Sequence, residues 1–398
     1  MNLKIFTNNI EDAAKIQVEA LAQLDAFKDA KVRIMPDVHA GKGCVIGFTA
    51  NLGEKVIPNI VGVDIGCGMH VVSLGKIDID FEKLDKVIHE QIPAGMNVHQ
   101  NADLYIYEDY IDELYCASQL LNTDHIAASM GTLGGGNHFI EIDQDDEGNK
   151  YLVIHTGSRN LGKQVAEIYQ QIAIDTLSGQ TNYREELNQL IAQYKADGRA
   201  QEISTAIQEF NKEFAQRVPD IPKELCYLEG ANRENYLHDM NICQNFAEEN
   251  RCIIALTICA EMGWSPIYAF ESVHNYISFK DNIVRKGAIS AYKGQKVIIP
   301  MNMRDGCIIG IGKGNDEWNQ SAPHGAGRIM SRAAARNQLS LNEYQQSMQG
   351  IYSTTVNQST IDEAPAAYKS MDEIIENIKD TVDIIKIIKP VYNFKAEE

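Results

Sequence analysis

The segment VGVDIGCGMH constrains this chain more than any other stretch. It sets Asp64 three residues before Cys67, among glycines that permit the sharp backbone needed to aim both side chains at one point. A carboxylate and a thiolate together suit a borderline transition ion such as Mn, Fe, Co or Zn rather than Mg or Ca alone. A turn that merely buries a cysteine is the plain alternative. Three histidines stand in similar glycine-rich or strand-end settings: His138 in GTLGGGNHFIEI, His155 in VIHTGSRN and His274 in ESVHNYISF. Each alone reads as well as a hydrogen-bonded core or surface residue, the reading given to His70, His89, His99, His125 and His238. His138 differs in having Asn137 before it and Glu141 at i+3. These segments lie far apart in sequence, so a chain that uses them together must bring them to one place.

The hydrophobic pattern predicts how. Helical spacing over residues 8–28 precedes strands in KVRIMPDVH and GCVIGFTA, and glycine-punctuated strands continue to about residue 75. Helices with polar loops follow over 80–130, then strands FIEID and YLVIHTG around the acidic turn DQDDEGNK. Residues 160–220 read as a polar helical arm or insertion, 230–264 as a second helical stretch, and KGAISAY and QKVIIPMNM as strands. No linker or repeat divides the chain. The expectation is an α+β fold, residues 1–398 forming one large domain of mixed sheets with a helical excursion.

Composition narrows the function little. A formal charge of −19 argues against an unstructured nucleic-acid binder, because phosphate contacts need local Lys and Arg. A cleft needs only a local basic strip, and Arg328, Arg332 and Arg336 stand at i, i+4 and i+8, the spacing of one helix face. Eight scattered cysteines without a CxxC pair read as reduced thiols. With no apolar run of membrane-spanning length and no basic-then-apolar start, a cytoplasmic location is expected.

The segment QSAPHGAGRIMSR places His324 before small residues and this basic stretch. Small residues at a helix start would let a phosphate approach backbone N–H groups, with Arg328 and Arg332 to neutralise it. An imidazole whose other nitrogen is held by a partner is a competent nucleophile at phosphorus. Metal ligation and general acid–base work are the other roles open to His324. Asp37 and His39 in MPDVH read equally well as turn residues and are left outside the site, while Arg159 in HTGSRN is expected to contact phosphate.

From MPDVHAGKG at Met35 to the C-terminal lysine region, the chain resembles the RtcB family of RNA-splicing ligases: DIGCGM, GGGNHFIE, HTGSRN, HNYI, SAPHGAGR and EAPAAYK occur in the family's order. The resemblance implies a GTP- and manganese-dependent enzyme with two Mn2+ per site. Such an enzyme joins RNA ending in a 2′,3′-cyclic phosphate or 3′-phosphate to RNA beginning with a 5′-hydroxyl, in tRNA splicing or RNA repair. It implies that His324 becomes guanylylated and that Cys67 bridges two metals, one completed by His155 and His274, the other by Asp64 and His138. The implied guanylate pocket comprises Asn137, His138, Phe139, Ile140 and Glu141; His274 with Asn275; Pro300, Met301, Asn302, Met303 and Cys307; His324, Gly325, Ala326 and Gly327; and Tyr368 and Lys395. Archease, a small activating protein, assists some relatives and is a candidate partner; no membrane is expected as one. The loop MNMRDGC departs from the family's pattern at Met301, Arg304 and Cys307. Two rival readings are a dinuclear metal phosphoesterase that never forms a guanylate adduct, and a catalytically silent RNA-binding subunit.

Overall fold

In the computed structural model, residues 2–100 and 105–396 are described. In chain order the strands are β1 (Asn2–Ile5), β2 (Lys31–His39), β3 (Ile46–Asn51), β4 (Gly68–Gly75), β5 (Phe139–Gln144), β6 (Lys150–Thr156) and β7 (Tyr268–Val273). They continue as β8 (Tyr276–Ser278), β9 (Ile283–Lys286), β10 (Ala288–Ser290), β11 (Lys296–Asn302), β12 (Gly306–Gly312), β13 (Ser321–Pro323) and β14 (Val382–Lys395). A seven-stranded sheet has the order β11-β12-β14-β5-β6-β4-β7; a five-stranded sheet runs β1-β2-β3-β9-β8; β10 and β13 pair by themselves. The mixed α+β class expected from the pattern is the class observed.

Strand alternation divides the large sheet into two faces. Ile140, Ile142, Leu152 and Ile154 point to one side, where they pack with Leu84 and Ile88 and with Ile254 and Ile258 of the long helix Gly230–Met262. The residues between them, Phe139, Tyr151 and Val153, join Met69, Val71 and Ile309 on the other side. The five-stranded sheet buries Val32, Ile34 and Phe48 in a further core that takes in Leu161, Val165 and Tyr169 of the helix Arg159–Leu177.

The polar region expected as a helical arm is thereby divided by burial. Its first helix packs seven residues inside, whereas the helix Tyr183–Ala196 buries none. The helix Ile203–Phe214 buries Ala206 and Phe214, and Phe214 meets Tyr183 with ring centroids 5.0 Å apart. Among the described residues, no helix is long and apolar enough to cross a membrane.

Candidate metal centre and adjoining cavity

The register of the seven-stranded sheet gathers the sequence-distant ligand candidates. Gly68 at the start of β4 pairs with Thr156 at the end of β6 and with Val273 at the end of β7, while Phe139 at the start of β5 pairs with His155. Cys67, His138, His155 and His274 are each at, or one residue outside, that common edge. Antiparallel pairing alone therefore aligns four donors at one end of the sheet.

Backbone geometry then aims them. Cys67 N–H donates to Asp64 O across a tight turn, and His274 N–H donates to Cys67 O at 2.8 Å. Gly66 has φ +70°, and a Cβ there would lie 2.9 Å from Gln244 Cα. At Gly157 a Cβ would fall 2.3 Å from Asp64 Oδ1, so glycine makes the space the carboxylate occupies. Asn275 supports the same loop: its Nδ2 donates to Asp64 O at 3.2 Å and its Oδ1 accepts from Gly287 N. The helix Gly230–Met262 clamps the ligand strands from behind. The fully buried Arg251 donates through Nη1 to Gly66 O at 2.8 Å and Thr156 O at 3.0 Å, and its other nitrogens engage Glu271. Glu271 in turn accounts for His70, whose Nδ1 lies 2.8 Å away.

The side chains form two groups sharing Cys67: Cys67 with His155 and His274, and Cys67 with Asp64 and His138. His138 Nδ1 lies 2.9 Å from Leu133 O and His155 Nδ1 lies 3.2 Å from Asn137 O. A carbonyl can only accept, so both Nδ1 atoms carry hydrogen and both Nε2 atoms are turned to the centre. Cys67 Sγ lies 3.6 Å from His138 Nε2 and 3.3 Å from His155 Nε2, and His155 Nε2 lies 3.4 Å from His274 Nε2. Burial, reinforced by neighbouring imidazoles, pushes His155 and His274 well below the usual histidine range, so they are neutral. Burial and the Asp64 charge push the Cys67 thiol well up. Burial opposes charge on Asp64 too, but His138 at 3.1 Å and Arg159 outweigh it and hold the carboxyl at about 2. Imidazole nitrogens, a carboxylate and a thiol converging at these distances are a fitting donor set for divalent transition cations.

Beside this centre lies a cavity of about 780 Å³, with His155 and His274 on its wall. Of the residues expected around a nucleotide, the wall includes Asn137, Phe139, Glu141, Pro300, Met301, Asn302, Met303, His324, Gly325, Ala326, Gly327, Tyr368 and Lys395. Four are elsewhere. Ile140 alternates to the far face of β5, Cys307 is sealed in the apolar layer with Ile298 and Ile309, and Asn275 is spent on the Asp64 loop. His138 serves the cluster and does not line the cavity.

His324 follows β13, and its ring stands 4.7 Å from that of His274. Asp37 of β2, fully buried, accepts from His324 N–H at 3.1 Å and lies 2.7 Å from His324 Nδ1 through the same oxygen. That carboxylate, left outside the site on sequence grounds, fixes Nδ1 as the protonated nitrogen and leaves Nε2 for chemistry. His39 is occupied locally, its Nδ1 2.9 Å from Asp37 O.

The basic helix needs correcting. The helix spans Arg332–Gln338, so Arg328 precedes it and the HGAG segment does not open it. Gly327 has φ +77° and packs on the Asp37 backbone, where a Cβ would lie 2.3 Å from Asp37 O. All three arginines turn to one acidic pair: Arg328 to Glu363, Arg332 to Asp362 and Glu363, and Arg336 to Asp362. Glu363 also meets Lys395 at 3.0 Å and Tyr368 Oη at 2.6 Å. Burial disfavours its charge, yet Lys395 and the arginines hold its pKa at about 2. The acidic pair was missed although Glu363 begins the recognised EAPAAYK segment. Arg159, expected at RNA phosphate, puts Nη1 3.2 Å from His138 Nδ1 and fills the space above Gly134, where a Cβ would lie 1.5 Å from Nη2.

A thiol, three imidazoles and a carboxylate joined to a cavity with a carboxylate-held histidine define a candidate two-cation centre for phosphoryl chemistry. Comparison with known proteins then gives the family. The model of the family described as tRNA-splicing ligase RtcB matches residues 17–120 and 115–396, and the chain belongs to this family. It is similar to the RNA-splicing ligase RtcB of Escherichia coli strain K12, with 29% identity over 430 residues covering 96% of this chain and 95% of that protein. It is also similar to the tRNA-splicing ligase RtcB of Nanoarchaeum equitans, 26% identical over 478 residues, covering 97% and 91% of the two chains. The Aeropyrum pernix protein of that name is 26% identical over 459 residues, covering 92% and 87%.

Proposed function

We propose that this protein is a cytoplasmic RNA ligase that spends GTP to join an RNA 3′-phosphate to an RNA 5′-hydroxyl through a guanylylated His324. The observation that carries this reading is the Asp37–His324 pair: Nδ1 is held at 2.7 Å, on a cavity wall shared with the imidazoles of His155 and His274. A phosphoesterase would use such a histidine only as a general acid or base and would never carry guanylate on it, so the adduct separates the two readings.

Cys67 would be shared by two Mn2+ ions, one also held by His155 and His274 and the other by Asp64 and His138. When bound, these would polarise phosphoryl oxygens and offset charge developing on entering and leaving oxygens. Asp37 orients the His324 ring and stabilises the charge it gains. Nε2 attacks the α-phosphorus of GTP, the α–β phosphoanhydride bond breaks and pyrophosphate leaves. An oxygen of the RNA 3′-phosphate then attacks the same phosphorus, breaking the P–N bond and restoring His324. Finally the 5′-hydroxyl oxygen attacks the RNA 3′-phosphorus, forming the phosphodiester and releasing GMP as the hydroxyl proton departs. A 2′,3′-cyclic end is first opened by water. The guanylate would lie against Phe139, Glu141, the Pro300–Met303 segment, Tyr368 and Lys395, with Glu363 holding Tyr368 and Lys395 in place.

The test uses two RNA fragments, one ending in 3′-phosphate and the other beginning with 5′-hydroxyl, with purified protein, Mn2+ and GTP. Joining that requires GTP and releases equimolar GMP is expected. GTP-independent loss of the 3′-phosphate, without joining, would replace this reading with the phosphoesterase one. Adding archease tests whether turnover depends on that partner.

A further inference from the structure

The front face of β5 carries an acidic cluster that the Cys67 centre does not explain and that the cavity meets only through Glu141. Alternation puts Glu141 and Asp143 on the same face as Phe139, and Cys307 of β12 reaches them across β14. Their oxygen and sulfur atoms lie within 4.8 Å of one another, with all three residues buried. The neighbours Ile298, Ile309, Tyr151 and Val153 make the surroundings largely apolar.

Two carboxyl groups in such a place need compensation. Asn393, directly opposite Glu141 in the β14–β5 register, donates from Nδ2 to Glu141 Oε1 at 2.5 Å. Asp143 is fully buried, and neither of its oxygens meets an N–H or O–H donor; the Oδ1 of fully buried Asn393 also lacks a partner. Burial and the Glu141 charge push Asp143 well above the carboxylate range, and burial pushes Glu141 up to about 7 against the pull of Lys395 and Asn393. Burial, then the two carboxylates, push the Cys307 thiol up as well. Both Asp143 oxygens and the Asn393 Oδ1 are thus left without N–H or O–H donors, and the cluster offers a mixed oxygen–sulfur set. Ligand atoms around a tetrahedral zinc-class ion stand roughly 3.4–3.8 Å apart, inside the 4.8 Å that bounds the spacing of these donors. Glu141 lies on the cavity wall, which gives a cation a way in.

We propose that Glu141, Asp143 and Cys307, with Asn393, bind one divalent transition cation of the zinc class at a site separate from the Cys67 centre. Binding displaces the Cys307 proton and any proton on Asp143 or Glu141 to solvent, so two carboxylates and a thiolate face the dication, with the Lys395 ammonium nearby. The site does not depend on the ligase reading.

Cadmium is the probe, because a cadmium–thiolate bond absorbs in the ultraviolet. In chelator-stripped Cys67→Ser protein, one tight equivalent of Cd2+ with thiolate absorption is expected. Adding Cys307→Ser should abolish the absorption, and adding Asp143→Asn should weaken binding at least tenfold. Absence of thiolate absorption in folded Cys67→Ser protein, or its survival without Cys307, overturns the proposal. Should Cys67→Ser fail to fold, metal content of the otherwise unchanged protein decides: Cys307→Ser and Asp143→Asn must each cost one equivalent, and no loss overturns the site. Guanylate transfer to His324, followed in parallel, can fail without altering the cadmium count.

Discussion

His324 can act through only one of its two ring nitrogens, and Asp37 decides which. Replacing Asp37 by Asn removes the carboxylate that fixes the Nδ1 proton and stabilises a developing imidazolium, at nearly constant volume. Guanylylation should slow by about 10²–10⁴-fold, read as labelled GMP incorporation, with thermal unfolding showing that the fold survives. Asp37 was not recoverable from sequence as a partner because the two residues are 287 positions apart; MPDVH by itself is equally a turn. The ligands were legible for the opposite reason, since each sits in a glycine-rich or strand-end segment whose residue types already suggest chemistry. A second residue-scale outcome concerns pH. Burial holds the Glu141 carboxyl up to about 7, against an ordinary value of 4.5. Between these values the unfolded chain has lost this proton and the folded chain has kept it, so metal-free protein should lose stability as pH rises from 4.5 to 7. Glu141→Gln should flatten that slope, with the melting temperature at pH 7 higher by a few degrees relative to the parent. Thermal scans of chelated protein across this range check the sign.

Among the elements, the long helix Gly230–Met262 does the least visible work in the sequence and the most in positioning. It was legible as a helix, but Arg251 was not legible as the clamp on Gly66 O and Thr156 O, because a buried arginine looks like any helical arginine until its strands are placed. Arg251→Met leaves Glu271, partly buried beside His70, without its main partner and frees both loop carbonyls. Loss of one partner from a buried pair costs on the order of 3–5 kcal/mol, measurable by denaturant unfolding, and Mn2+ retention should fall because the Cys67 and His155 backbones lose their common anchor. The arginine stretch teaches the converse. Its i, i+4, i+8 spacing was real, yet Arg328 lies before the helix and Asp362 and Glu363 draw all three guanidinium groups to themselves. Spacing reports direction, whereas the partner that neutralises a charge comes from another part of the chain.

For the whole molecule, element order was largely readable from periodicity, but sheet order was not. The large sheet joins a block of β11, β12 and β14 to a block of β5, β6, β4 and β7, and the connection that puts β14 beside β5 leaves no local trace. That connection brings Lys395 to the same cavity as Glu141 and His324. The helical excursion contributes differently, for Tyr183–Ala196 buries no residue and Phe214 packs back on Tyr183. Replacing residues 183–214 with a short Gly-Ser linker should therefore leave guanylate transfer within about threefold, corresponding to less than about 1 kcal/mol, as judged by adduct formation. Both large sheets deliver side chains to the cavity at His324, and intact-protein mass spectrometry after incubation with GTP and Mn2+ reads whether this histidine is the nucleophile. One guanylate should be added per chain, acid-labile, mapped to His324 and absent from His324→Ala. A protein that gains no guanylate with any divalent cation, or that gains it undiminished in His324→Ala, would contradict the account.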